Sequence, residues 1–170
     1  MTEVLKKWPL TLAMFLLING AQQLHALTLP ELQHDRHLTP ESLLHRFSGF
    51  EFKLFDEVQP RDKFLATQTG DCDDFATLAA EVLRQKGYTT RLIAVFMTQQ
   101  THVVCYVKEA GAYLDYNNRK KASPLVPTSG ALPDIAAKVA RSFRTPWTSV
   151  MEFTFEHGIR KAGAMDFPQN

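Results

Sequence analysis

The sequence predicts an α+β domain in which an antiparallel sheet carries an amphipathic helix on one face. Three stretches predict it. Phe75, Leu78, Ala79, Val82 and Leu83 recur at i, i+3, i+4, i+7 and i+8, which is one apolar helix face; Gly87 follows, with Arg84 and Lys86 in the last turn. Residues 89–96 are β-rich and almost continuously apolar, the pattern of a central strand covered on both sides. Residues 101–107 and 113–116 are two further strand-like runs, joined across residues 109–112 as a hairpin.

The other elements follow in chain order. Lys6 and Lys7 precede an apolar run at residues 10–18, then Asn19-Gly20 and a polar stretch ending at Ala26. This reads as a secretory signal peptide, residues 1–26, cleaved after Ala26, although Leu24 is larger than the usual residue at that position. The competing reading is an amphipathic or buried N-terminal helix of a cytosolic protein. The apolar run is well short of the roughly 20 residues that cross a bilayer, so no stable membrane span is expected once it is removed. A single domain, residues 27–170, is then expected in the periplasm or outside the cell. No cysteine follows the run to carry a lipid.

Residues 27–35 read as irregular. Thr39-Pro40 opens a helix, with Thr39 as N-cap and Pro40 at its first position, and Leu43, Leu44 and Phe47 form its apolar face. His34, His37 and His45 lie around this start in no metal-ligating spacing. Residues 50–55 alternate as a short strand or extended arm, and Phe64-Leu65-Ala66 suggests a helical turn under the Phe75–Leu83 helix face. Residues 117–128 read as a loop, residues 133–140 as the start of a helix ended by Pro146, residues 149–155 as a strand, and the stretch from Gly158 as a loose tail.

Composition excludes several classes. Hydrophobic residues at 45% are enough for a packed core, and a net charge of +1 gives no reason to expect a nucleic-acid partner. Two cysteines are too few for a disulfide framework.

The chemistry points to Cys72. It stands at a helix start, with Asp71 as N-cap and Asp73 and Asp74 in the first turn. Unpaired N–H groups at such a position stabilise a thiolate and can donate to an oxyanion. His102 follows in one strand and Asp115 at the end of the next. Strand alternation puts His102, Val104 and Tyr106 on one side and Val103, Cys105 and Val107 on the other. Cys105 is therefore expected in the core, pointing away from His102, and a Cys72–Cys105 disulfide is disfavoured.

The run GDCDDFATLAAEVLRQKGYTTRLIAVF, then HVVCYV, then YLDYNN, resembles the core of the transglutaminase-like superfamily, and within it the bacterial transglutaminase-like cysteine peptidases. The resemblance spans about residues 70–118. It implies a papain/transglutaminase-like core with Cys72 as nucleophile, His102 as general base and Asp115 as the acid that orients it. It implies a peptide- or amide-bond hydrolase working through an acyl-thioester on a protein or peptide substrate. A lysine amine in place of water would make it an amine-accepting transglutaminase, and a catalytically silent module binding a protein or peptide is the alternative from another class. Papain-like enzymes place an oxyanion-hole glutamine upstream of the nucleophile, which makes Gln68 a candidate; a solvent-facing loop glutamine is the competing reading. No cofactor is required by this chemistry. Acids on both sides of the cysteine bind calcium in some of these peptidases, so Asp71 and Asp73 are candidate Ca²⁺ ligands; helix-end stabilisation by solvated acids is the competing reading.

Overall fold

The computed structural model describes residues 26–156 and 159–169, so residues 1–25 of the expected signal peptide lie outside it. Strands β3 (Thr90–Met97), β4 (Thr101–Val107) and β5 (Ala112–Leu114) pair antiparallel in sequence order, and β6 (Val126–Pro127) extends the sheet beyond β5. On the other side of β3 lie β7 (Trp147–Glu156) and β8 (Ile159–Asp166), both antiparallel. The order β6-β5-β4-β3-β7-β8 makes β3 an inner strand, which explains its unbroken apolar run.

One helix covers each face. Leu78, Val82 and Leu83 of α4 (Cys72–Gln85) pack with Leu92, Val103, Cys105, Val107 and Leu114. Ile135, Val139 and Ala140 of α5 (Leu132–Phe143) pack with Ile93, Val95, Val104, Tyr106 and Tyr113 on the reverse face. The expected α+β architecture, an antiparallel sheet with the cysteine-bearing helix on one face, is the one observed. Burying an Ile, Val or Leu side chain contributes about 1.5–3 kcal/mol, so the two apolar layers hold the sheet between the helices.

Three expectations are corrected. Residues 27–35 are not irregular: α1 (Leu29–His34) starts at Thr28, whose hydroxyl accepts the Glu31 N–H while Glu31 Oε2 accepts the Thr28 N–H at 2.8 Å. The stretch after Gly158 is not a loose tail, because β8 pairs with β7 from Glu156↔Ile159 to Val150↔Asp166. Its side chains are mostly exposed, so it has no apolar alternation to betray it, and backbone hydrogen bonds define it. The 117–128 loop also holds structure, a 3₁₀ turn at Tyr116–Asn118 and the short β6.

The remaining elements fix the start of α4. Helices α2 (Pro40–Arg46) and α3 (Arg61–Thr67) pack beside it, and β1 (Glu51–Phe52) runs parallel to β2 (Thr69–Gly70) directly before Cys72. Phe47 meets Phe75 edge-on at 5.0 Å, and Phe75 stacks on Tyr116 at 5.5 Å, which ties the first turn of α4 to the end of β5. Gly70 is required here. A Cβ on it would come within 2.5 Å of the Phe64 ring and 2.7 Å of Asp74 Oδ2.

Candidate active site

Cys72 is the first residue of α4 and is 8% exposed. Asp71 takes the N-cap: its carboxylate accepts the Asp73 and Asp74 N–H groups, and Asp74 Oδ2 accepts the Asp71 N–H in return. The Cys72 N–H has no acceptor among the described residues, so it is free to donate to an incoming oxygen.

His102 is the second residue of β4 and Asp115 follows β5, so the antiparallel hairpin sets both at the same end of the sheet. His102 Nε2 and Asp115 Oδ1 are 2.9 Å apart, and both residues are buried. The same Asp115 oxygen accepts the Asn117 N–H at 2.9 Å, so the 3₁₀ turn holds the carboxylate in place. The Cys72 thiol lies close enough to His102 to help hold the imidazole charged. With Nε2 directed at Asp115, Nδ1 is the nitrogen left for the sulfur. The Phe143 ring meets the imidazole edge-on at 4.8 Å from the end of α5. Burial disfavours the charged imidazole, but the Asp115 carboxylate outweighs it through charge and hydrogen bond, and Cys72 adds to the effect. The His102 pKa is pushed up to about 10.

The structure thus brings Cys72, His102 and Asp115 together. Gln68 has a different surrounding. It is the C-cap of α3 in the left-handed region at φ 52°, its N–H donates to Phe64 O, and its carbonyl accepts the Glu51 N–H at 2.8 Å. Among the described residues its side chain makes no hydrogen bond to the three. Cys105 lies in the α4-side core, and burial pushes its thiol up to about 12; both cysteines are free thiols.

The acids around Cys72 divide by role. Asp71 Oδ2 accepts the Phe55 N–H at 2.9 Å, and Asp74 accepts the Gln59 N–H at 2.6 Å and its side-chain amide at 2.8 Å. Both carboxylates thereby brace residues 55–59 against the helix start. Asp73 is different. Its Oδ2 is 3.3 Å from Arg160 Nη2 of β8, and its Oδ1 has no partner among the described residues. Burial, then Asp71 and Asp74, push its pKa up to about 7 against the pull of Arg160. One oxygen of each acid lies within 4.8 Å of the others. Ca²⁺ takes six to eight oxygens. Six N–H donors already occupy Asp71 and Asp74, so the donor set fits capping and bracing better than a calcium cage.

Sequence reasoning missed Gln59, Arg119 and Arg160. Arg119 is buried and donates from Nε and Nη2 to Phe50 O and from Nη1 to Tyr116 O, with its guanidinium 4.0 Å over the Tyr116 ring. It fixes the corner that carries Asp115.

Residues 43–124 match the transglutaminase-like superfamily. The matched region runs from α2 past the 3₁₀ turn and contains Cys72, His102 and Asp115, while α5, β7 and β8 lie beyond it. No curated protein matches the chain.

Proposed function

We propose that this chain is an exported cysteine hydrolase of peptide or amide bonds, of the transglutaminase-like cysteine peptidase kind. The observation that carries the reading is a buried imidazole bonded to a carboxylate, with the thiol of a helix start close enough to help hold it charged. In this reading Cys72 and His102 form a thiolate–imidazolium pair, and Asp115 holds the charged ring. The sulfur attacks the substrate carbonyl while the Cys72 N–H donates to the oxygen. His102 gives its proton to the leaving amine, and an acyl-thioester remains. Water, deprotonated by His102, then displaces the sulfur and releases the acid. An amine acceptor in place of water would give a crosslink from the same intermediate.

The chemistry runs without a metal. Residues 1–26 act as the export signal and residues 27–170 as one domain on a protein or peptide substrate; no described helix is long and apolar enough to cross a membrane. The burial of Cys72 and His102 favours a second reading, a catalytically silent module that binds a peptide.

The pH dependence of Cys72 alkylation by iodoacetamide, in a Cys105→Ala background, separates the two. The hydrolase reading expects fast alkylation well below the ordinary thiol pKa of about 8.5, lost in His102→Ala and unchanged by calcium. Ordinary thiol behaviour, indifferent to His102, would leave the binding module. Reactivity that appears only with calcium would make Asp71 and Asp73 metal ligands.

A further inference from the structure

Residues 51–55 run as an extended arm beside the stretch that leads into Cys72. The Glu51 N–H donates to Gln68 O at 2.8 Å, the Lys53 N–H to Gly70 O at 2.9 Å and the Phe55 N–H to Asp71 Oδ2 at 2.9 Å. Alternate amides are thus pinned inward. Those of Phe52 and Leu54 turn to the other edge, where neither has an acceptor among the described residues. Side chains alternate likewise: Lys53 lies 5.5 Å over the Phe55 ring on one side, and Phe52 and Leu54 share the other. Those two are 48% and 73% exposed. The other exposed large hydrophobic side chains among the described residues, Ile159, Met165 and Phe167, belong to β8 and the residue after it. The Phe52 ring stands 6.4 Å from that of Tyr116, the residue after Asp115. The apolar strip therefore starts next to the corner that holds Asp115, and it runs in the same direction as the chain entering Cys72, because β1 and β2 are parallel.

An extended edge with free amides and apolar side chains at alternate positions takes up another strand. Two side chains on so short an edge fall well short of the roughly 800 Å² per partner that a stable dimer buries, and suit a chain that comes and goes. We propose that a segment of the substrate adds to residues 51–54 as a strand, with its backbone bonded to Phe52 and Leu54 and a large apolar side chain laid against theirs. This rests on the hydrolase reading and names its substrate class: an extended, unfolded stretch of protein with a leucine- or phenylalanine-sized residue a few positions from the cleaved bond. Strands pair about 4.8 Å apart, so the added strand lies about 10 Å from residues 68–71, a gap that about three extended residues span. A folded surface has no free edge to offer, and a polar stretch leaves Phe52 and Leu54 in water.

Two peptides test this, acetyl-Thr-Phe-Thr-Leu-Thr-amide and acetyl-Thr-Ser-Thr-Ser-Thr-amide, titrated into ¹⁵N-labelled Cys72→Ala protein, in which nothing is cleaved. The first is expected to shift the Phe52 and Leu54 amides saturably, and the second to bind roughly tenfold more weakly or worse. Leu54→Ser, at a mostly exposed position, should weaken the first peptide about three- to tenfold and leave the second unchanged. Absence of these shifts, equal binding of the two peptides or an unaltered affinity in Leu54→Ser would overturn the strip. So would shifts of the same amides with protein concentration alone, which would make a second copy the occupant. Chloromethyl ketones of the two sequences, on the Cys105→Ala background, then tie the strip to Cys72. The apolar reagent should alkylate it roughly tenfold faster, the advantage should shrink in Leu54→Ser, and iodoacetamide should react alike with and without that substitution. Equal rates from a reactive Cys72 would overturn the strip as a path to the thiol. If the apolar peptide binds as stated while every reagent meets an ordinary thiol, it is the hydrolase reading that fails, and the strip stands as the peptide edge of the silent module.

Discussion

His102 is the residue on which burial and charge compete most directly. Its folded pKa stands near 10, above the ordinary 6.5, because Asp115 faces it at 2.9 Å. A raised pKa means that the pairing stabilises the fold fully below about pH 6.5 and ceases to do so as pH climbs through 10. Asp115→Asn keeps an acceptor for the Asn117 N–H but removes the charge. The urea midpoint of the variant should therefore fall furthest below wild type near pH 6, and the gap should narrow toward pH 10. A gap that stays constant across this range would show that the charge on His102 is not what Asp115 stabilises. The nearness of Cys72, His102 and Asp115 was an expectation from their order along the chain, a helix-start cysteine, a strand histidine and a strand-end aspartate, together with the family resemblance that this order carries. Gln59 was not legible, since a lone glutamine in a loop gives no sign that its partners are Thr69 and Asp74.

At the scale of elements, periodicity revealed what is half-buried and concealed what is not. Helix α4 and strands β3, β4 and β7 each bury apolar side chains at regular spacing, so their outlines follow from residue type. Strand β8 exposes nearly every side chain, and β6 is only two residues long, so neither leaves a pattern. The short α1 carried its capping residues, Thr28 and Glu31, but too few apolar positions to be read as a helix. The corner between β5 and the 3₁₀ turn depends on Arg119, whose acceptor Phe50 O lies 69 residues away in sequence. A planar guanidinium reaches Phe50 O and Tyr116 O together and stacks on the Tyr116 ring, which an ammonium cannot do. Arg119→Lys should cost about 1–3 kcal/mol in urea unfolding despite the retained charge. An unchanged midpoint would mean that the corner is held by the aromatic contacts alone.

For the whole molecule, the sheet ends at β8, and Arg160 of that strand reaches both Asp73 at the start of α4 and the Phe153 ring, 4.6 Å away. A chain that stops after residue 156 would lose this link and leave the edge of β7 unpaired. Unpaired edges recruit other chains. Such a truncation should therefore melt at lower temperature and self-associate with rising concentration in light scattering. A monomer with an unaltered melting temperature would mean that β8 is an accessory to a sheet that β7 already completes.

The two carboxylates beside Cys72 grip the backbone at Phe55 and Gln59, four residues apart, on a loop that leads from β1 to α3. Surface loops usually absorb insertions and deletions with little effect. Here the span between the two grips is fixed by the distance between Asp71 and Asp74. A gain or loss of one residue within it would release a carboxylate from its amide and loosen the helix start that carries Cys72. The length of this loop is thereby part of the reactive centre, and related chains should vary in its composition long before they vary in its length.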